Sequence, residues 1–398
     1  MAQAQPILIS GGGLGGLTAA LALGRKGHAV RVLEQAKEFA PIGYGIQLGP
    51  NVFPMFERIG ITDAVMREAT IPKNILMLDA LSGDEVTHIP TGANFRARFT
   101  HPYIIIHRED IHRVLIEACA AVPNIAMEGG AGVAGFEETG DGVRVALDDG
   151  RKVEGAALIG ADGLRSAVRA GFVTEGEPRP IGYVAHRTIV PMDELPAHIP
   201  YREEVVLWGG PGFHIVHYPL RHGTVFNIVA VFRTATFAER LDPAAYIAEV
   251  RKTYAESHPV MKALTDMMDL GRRWIIADRD PIRHWGRGRI TLLGDAAHPV
   301  LQSFAQGACM AIEDGVVLAE LIELAGGDFA GAFERYQRTR LLRTARLALE
   351  SRAIWSFYHA EGVARDVRND TCARWRDDDL FRCLAWLYDG IELPTAMT

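Results

Sequence analysis

The feature that most constrains this chain is its opening. A short apolar run, Pro6 to Ser10, breaks into Gly11-Gly12-Gly13-Leu14-Gly15-Gly16. Leu17, Ala20, Leu21 and Gly24 then repeat at helical spacing, Gly27 closes the helix, and a second apolar run from Ala29 to Leu33 ends at Glu34. An apolar run of this length reads as a strand buried on both faces. In G-x-G-x-x-G the first glycine permits the tight turn and the second lets backbone amides approach a pyrophosphate. The third lets helix pack against strand. The helix N-terminus adds positive potential toward phosphate. Glu34, 18 residues beyond Gly16, stands where a carboxylate can accept hydrogen bonds from ribose hydroxyls. With an acid there and no arginine, the nucleotide is expected to lack a 2′-phosphate.

The remaining chain must supply whatever the nucleotide serves. Its 398 residues have room for two domains. Forty-nine acidic against 42 basic residues, a net charge of −7, argue against general nucleic-acid binding, which needs a basic surface. Cys119, Cys309, Cys372 and Cys383 show no paired or metal-type spacing, so neither a disulfide frame nor a metal site is expected. The N-terminus has no signal-peptide pattern, and no apolar run reaches the roughly 18 residues of a membrane span. A cytoplasmic protein is expected.

The opening motif alone does not separate FAD from NAD. Two later segments do. Ala157 to Gly160 is a buried run followed by Ala161-Asp162-Gly163. Arg289 to Leu293 is another, followed by Gly294-Asp295 and then by an apolar helix that begins at Gly307-Ala308. Asp295 is placed for a sugar-chain hydroxyl. Amides near Gly307 can offer positive potential where a flavin ring gains charge on reduction.

The order of glycine fingerprint, Asp-Gly and Gly-Asp, spread from Gly11 to about Asp314, resembles the single-component FAD-dependent aromatic hydroxylases. The resemblance implies an α/β fold: a Rossmann-like FAD-binding domain of the para-hydroxybenzoate hydroxylase type, with an inserted β-sheet substrate domain and a helical C-terminus. The expected boundaries are 1–72, 100–179 and 281–340 for the FAD-binding domain, 73–99 and 180–280 for the substrate domain, and 341–398 for the C-terminal segment. It implies FAD contacts from Gly11, Gly13, Leu14, Gly15, Gly16, Glu34, Asp162, Asp295, Gly307 and Ala308. Arg108 beside the flavin and Gln47 near it are implied as well. No second fingerprint exists, so NADH is expected as a transient co-substrate in the same cleft. For Arg108 the competing reading is a surface ion pair. His298 is expected only to shape its turn.

In such a family, reduced flavin and oxygen give an electrophilic hydroperoxide, which only an electron-rich ring attacks. A phenol of pKa ~10 is about 0.1% ionised at pH 7, so a base matters greatly. Two runs, Glu203 to Leu220 and Thr224 to Arg233, flank a hairpin turn expected at Arg221-His222-Gly223. Strand alternation in Phe213 to Leu220 puts His214, Val216, Tyr218 and Leu220 on one face. Fourteen histidines occur. His214 stands out by sharing its face with Tyr218, whereas His217 points the other way and reads as structural.

A finer resemblance, to the branch of that family acting on 3-hydroxybenzoate, rests on three stretches. These are His214 to Arg221, Leu301-Gln302-Ser303-Phe304, and Trp355 to Asn369. It implies His214 as base toward the phenol, Gln302 as a hydrogen-bond partner of the substrate, and Tyr218 as a further polar contact. The implied partners are a small aromatic hydroxy acid, O2 and NADH, with gentisate as product and a homodimer as assembly. Relatives acting on salicylate or hydroxynicotinate stay open as alternatives. So do a flavin dehydrogenase or oxidase and a binding module without chemistry.

Beyond Gly331, Arg335, Arg338, Arg340, Arg343, Arg346 and Arg352 interleave with leucines at helical spacing. A solvated helix face is the plain reading. An acidic or lipid partner, or a dimer contact built on Trp355, Phe357 and Tyr358, are the others.

Overall fold

The computed structural model describes residues 5–39, 43–237 and 242–396. A six-stranded sheet carries the fingerprint. Its order is Gly286–Arg287, Ile290–Leu292, Ala157–Gly160, Ile7–Ser10, Val30–Glu34 and Ile125–Gly129. All neighbours are parallel except the Gly286–Arg287 edge. Ile7, Leu8 and Ile9 are all buried, as in a strand covered on both faces, which is why this strand reads as unbroken apolar sequence.

The turn into the helix Leu14–Arg25 depends on two glycines. Gly11 has φ +105°, and a Cβ there would lie 2.5 Å from the Ala161 carbonyl oxygen. A Cβ on Gly16 would lie 2.0 Å from the Gly11 oxygen. Only hydrogen fits at either place.

A seven-stranded sheet gathers both inserted regions, in the order Trp274–Asp278, Arg179–Pro191, Val225–Arg233, Phe213–Leu220, Val205–Gly210, Asn74–Asp79 and Glu85–Pro90. Its neighbours are antiparallel except where Val205–Gly210 meets Asn74–Asp79. One face buries Trp208, Ile215, Phe226 and Phe232 against Tyr254 and Met261 of the segment 243–266. The other face looks toward the first sheet.

The expected hairpin turn is present, but the run Glu203 to Leu220 is not one strand. It folds into Val205–Gly210 and Phe213–Leu220, joined at Pro211-Gly212 with Gly212 at φ +73°. In the Arg221–Gly223 turn, Arg221 and His222 both have positive φ. Arg221 is held by two hydrogen bonds from its guanidinium to Asp110, at 2.9 and 3.1 Å.

The helix Phe329–Tyr358 runs unbroken across residues 340 and 341, and its arginines correct the solvated-face reading. Arg340 is fully buried and donates to Asp314 and Glu313, both at 2.6 Å. Arg343 donates to Glu313 at 2.8 Å and to the carbonyls of Trp386 and Leu387. Arg352 pairs with Asp278 at 2.7 Å. Only part of the series, such as Arg338 and Arg346, is exposed. No helix among the described residues is long and apolar enough to cross a membrane.

Candidate active site

Three strands of the first sheet, Ile7–Ser10, Ala157–Gly160 and Ile290–Leu292, are parallel and adjacent. Their C-terminal ends therefore open at one edge, where α/β sheets bind ligands. Gly11, Asp162 and Asp295 follow those ends, and Glu34 closes the neighbouring strand. Segments almost 300 residues apart in sequence thus meet on one wall of a cavity of about 990 Å³.

Gly11, Gly13, Leu14, Gly15, Glu34, Gln47, Arg108, Asp162, Asp295, Gly307 and Ala308 all line that cavity. Gly16 does not. Its place is the contact with Gly11 described above, so its part is packing and not touch.

An FAD fits these walls. The helices Leu14–Arg25 and Gly307–Ala325 both point their N-termini at the cavity, with no side-chain cap and no acid in the first turn. Their free N–H groups and dipoles suit a pyrophosphate and an electron-accepting ring. A Cβ on Gly13 would meet nothing within 4 Å, leaving room for a ligand against the backbone. Glu34 accepts a hydrogen bond from the Gly12 amide at 2.7 Å, which aims its carboxylate along the glycine turn. Arg108 is exposed at this wall and makes no ion pair among the described residues, so the surface-pair reading of it falls. Asp162 has a second duty: it accepts from Ser166 Oγ and from the Val168 amide, capping the turn that follows. His298 keeps the plain role expected of it. Buried, it pairs with Asp314 at 2.5 Å, and Asp314 also accepts from the Gly294 amide at 3.0 Å.

The far wall is the inner face of the seven-stranded sheet. Across it the register aligns Thr87, Met77, Leu207, Val216, Val229 and Arg187 in one row. Ile89, Ile75, Val205, Tyr218, Asn227 and Ile189 form the next. Gly209, His214, Val231 and Ala185 form a third, on the other side of the first. Arg187 is the one charged side chain in these rows. Its Nη2 donates to Gln302 Oε1 at 3.2 Å, and no carboxylate among the described residues pairs with it. Burial lowers its pKa, which marks the charge as poorly solvated.

His214, Tyr218 and Gln302 also line the cavity, so all three expected residues meet there. Tyr103 donates to Gln47 Oε1 at 2.7 Å, holding that amide beside Tyr218. His214 is buried and sits well below the ordinary histidine pKa, first through burial and then through its neighbour His359. It is therefore neutral at pH 7. Burial pushes the Tyr218 phenol up, so it stays protonated. His217, on the opposite face, accepts from Trp208 Nε1 at 3.1 Å and is held at a pKa of about 3 by burial, in line with the structural reading.

Sequence reasoning missed two residues, Arg187 at this wall and His359 in contact with His214. Arg187 could have been found: Tyr183, Ala185, Arg187 and Ile189 alternate like the face that carries His214. His359 could not, because its contact with His214 spans 145 residues. The reading of Trp355, Phe357 and Tyr358 as a dimer contact is corrected. Trp355 packs edge-on against His214 and Tyr183, while Phe357 and Tyr358 line the cavity.

The family model described as "FAD binding domain" matches residues 4–351. The chain belongs to the FAD-dependent aromatic hydroxylases. This hydroxylase is 42% identical to a 3-hydroxybenzoate 6-hydroxylase of Polaromonas naphthalenivorans, over 96% of this chain and 95% of that one. It is 40% identical to a protein of the same name from Klebsiella oxytoca, over 98% of each. Among solved structures, Klebsiella pneumoniae HpxO complexed with FAD and uric acid superposes with a TM-score of 0.85 at 26% identity, over 97% of both chains. The hydroxylase is thus a monooxygenase with an FAD-binding fold of the para-hydroxybenzoate hydroxylase type.

Proposed function

We propose that this enzyme uses NADH and O2 to hydroxylate 3-hydroxybenzoate para to its phenol, giving gentisate. The observation that carries the reading is the composition of the inner sheet face: one cation without a carboxylate partner, Arg187, with one neutral imidazole, His214, among apolar residues. A lone half-buried guanidinium is satisfied by an anion that arrives with the substrate. Arg187 and Val216 lie two strands apart, about 10 Å between backbones. Val216 lies between His214 and Tyr218 along its strand. That span suits an aromatic ring with a carboxylate at one end and a phenol at the other. The two relatives named 3-hydroxybenzoate 6-hydroxylase support the choice among phenolic acids.

When bound and reduced, the flavin supplies an electrophilic oxygen derived from O2. The protein's own residues do the rest. Arg187 and Gln302 hold the carboxylate, with Gln302 kept in place by their mutual hydrogen bond. His214 takes the phenolic proton, raising electron density at the para carbon. Tyr218 donates to the ring's polar end and Phe357 closes the apolar wall. Residues 1–72, 100–179 and 281–340 carry the cofactor side of this arrangement, and 73–99 and 180–280 the substrate side.

The test is a panel of hydroxybenzoates added to the FAD-loaded protein, following NADH loss beside product mass. The 3-hydroxy isomer should gain a single oxygen with NADH consumed in step. Oxygen gain by salicylate instead would overturn the pocket assignment. His214→Ala should keep bound FAD and lose coupled hydroxylation, most of all below the phenol's pKa. Full coupled turnover by that variant would remove His214 from the mechanism.

A further inference from the structure

The glycine turn is held by a buried side chain that the mechanism above does not use. His112 lies on the helix Arg108–Ala120, and its Nε2 is 2.7 Å from the Gly12 carbonyl oxygen. A carbonyl oxygen can only accept, so the ring donates from Nε2. That is its whole polar engagement among the described residues, because Nδ1 is buried without a partner. An unpaired buried nitrogen costs stability that an apolar side chain of similar size would not. What the imidazole adds over such a side chain is the one contact it makes, and that contact goes to the turn.

The helix brings His112 here together with Arg108, which lines the cavity four positions earlier and so on the same face. Further along, Cys119 Sγ donates to the Leu17 carbonyl at 3.5 Å, tying this helix to Leu14–Arg25. The turn is then pinned at two successive peptides, the Gly12 N–H by Glu34 and the Gly12 carbonyl by His112. The Gly12–Gly13 peptide is trans, so its N–H points away from the carbonyl that His112 holds. Gly13 lines the cavity, and its amide has no protein partner among the described residues. Gly11-Gly12-Gly13 is the most freely jointed kind of backbone a chain can have. With its carbonyl released, that peptide can rotate and carry its N–H off a ligand, and ordering it again would draw on binding energy.

We propose that His112 is a positioning residue for the cofactor: by holding the Gly12 carbonyl it presets the Gly13 N–H toward the FAD pyrophosphate. Glu34 and His112 divide the work, the acid fixing the peptide before Gly12 and the imidazole the peptide after it. The inference needs FAD on the fingerprint and nothing of the phenolic substrate. It therefore stands or falls apart from the assignment of 3-hydroxybenzoate.

The experiment follows release of FAD from the full-length holoenzyme on dilution, by the fluorescence of the freed flavin, with no substrate present. His112→Phe keeps a ring in the space but removes the donor. It should raise the FAD Kd about tenfold or more, the scale of losing one buried hydrogen bond. His112→Gln, whose amide N–H can donate to the same carbonyl, should restore most of the affinity. With FAD saturating, both variants should show the parent's flavin absorbance spectrum, because the ring end of the cofactor is untouched. An FAD Kd for His112→Phe within about twofold of the parent would overturn the proposal. Equal losses in the two variants, or a disturbed spectrum at saturation, would do the same, since either means that the ring only packs. Should His112→Phe not fold, histidine nitrogen NMR of the parent holoenzyme answers alone. A hydrogen on His112 Nε2 supports the proposal, and a bare Nε2 overturns it.

Discussion

At the scale of single residues, the account turns on Arg187. Hydrogen bonds to a charged group are each worth about 1.5–3 kcal/mol. Arg187→Met should therefore weaken 3-hydroxybenzoate binding roughly 10- to 100-fold, read from the perturbation of flavin absorbance. It should also erase the preference over the uncharged amide of the same acid, because that preference comes from the charge. Unchanged discrimination between acid and amide would place the anion site elsewhere. This residue was legible in principle, since its strand alternates like the one carrying His214. The fingerprint glycines were legible in full, because steric exclusion is local: Gly11 needs its positive φ whatever the rest of the chain does. His359 lay out of reach, since a contact between a strand and a distant helix end leaves no periodic trace.

Among elements, the helix Phe329–Tyr358 shows how a charge pattern misleads. A row of arginines at helical spacing looks solvated, yet Arg340 closes a buried network with Glu313 and Asp314, the acids that also anchor Asn51, His298 and the Gly294 amide. Burial alone would raise the pKa of Glu313, but Arg340 and Arg343 bring it below the usual carboxylate value. Removing one partner of such a cluster leaves a buried charge uncompensated. Arg340→Met should cost about 3–5 kcal/mol in chemical denaturation. The exposed Arg338→Met should stay within about 0.5 kcal/mol of the parent. Equal effects would mean that the network does not hold the helix. The double hairpin was missed for a simpler reason: Gly209-Gly210-Pro211-Gly212 marks a turn, but the apolar residues on both sides hid it in one long run.

For the whole molecule, the fold was legible because three strand–turn motifs recur in a fixed order and parallel packing brings their ends to one edge. The joint between the inner sheet and the C-terminal helices was not. It depends on Asp79, which accepts from Arg365 and Arg368 at 2.7 Å. Acid should loosen the molecule early. His217 and His359 are held by burial near pKa values of 3 and 4, below the unfolded value of about 6.5. The unfolded chain then binds more protons between pH 6.5 and those values, so stability is complete above 6.5 and falls as the pH drops through this window. Thermal unfolding against pH should show the decline, and His217→Gln, which still accepts from Trp208, should flatten it; a flat profile down to pH 4 in the parent enzyme would contradict it. The central claim is that a flavin held on the first sheet passes one atom of dioxygen to an anionic phenol held on the second. Turnover of 3-hydroxybenzoate with NADH under isotopically heavy dioxygen tests this directly. The account predicts gentisate carrying one heavy oxygen, and gentisate with ordinary oxygen, or NADH consumed with no hydroxylated product, would contradict it.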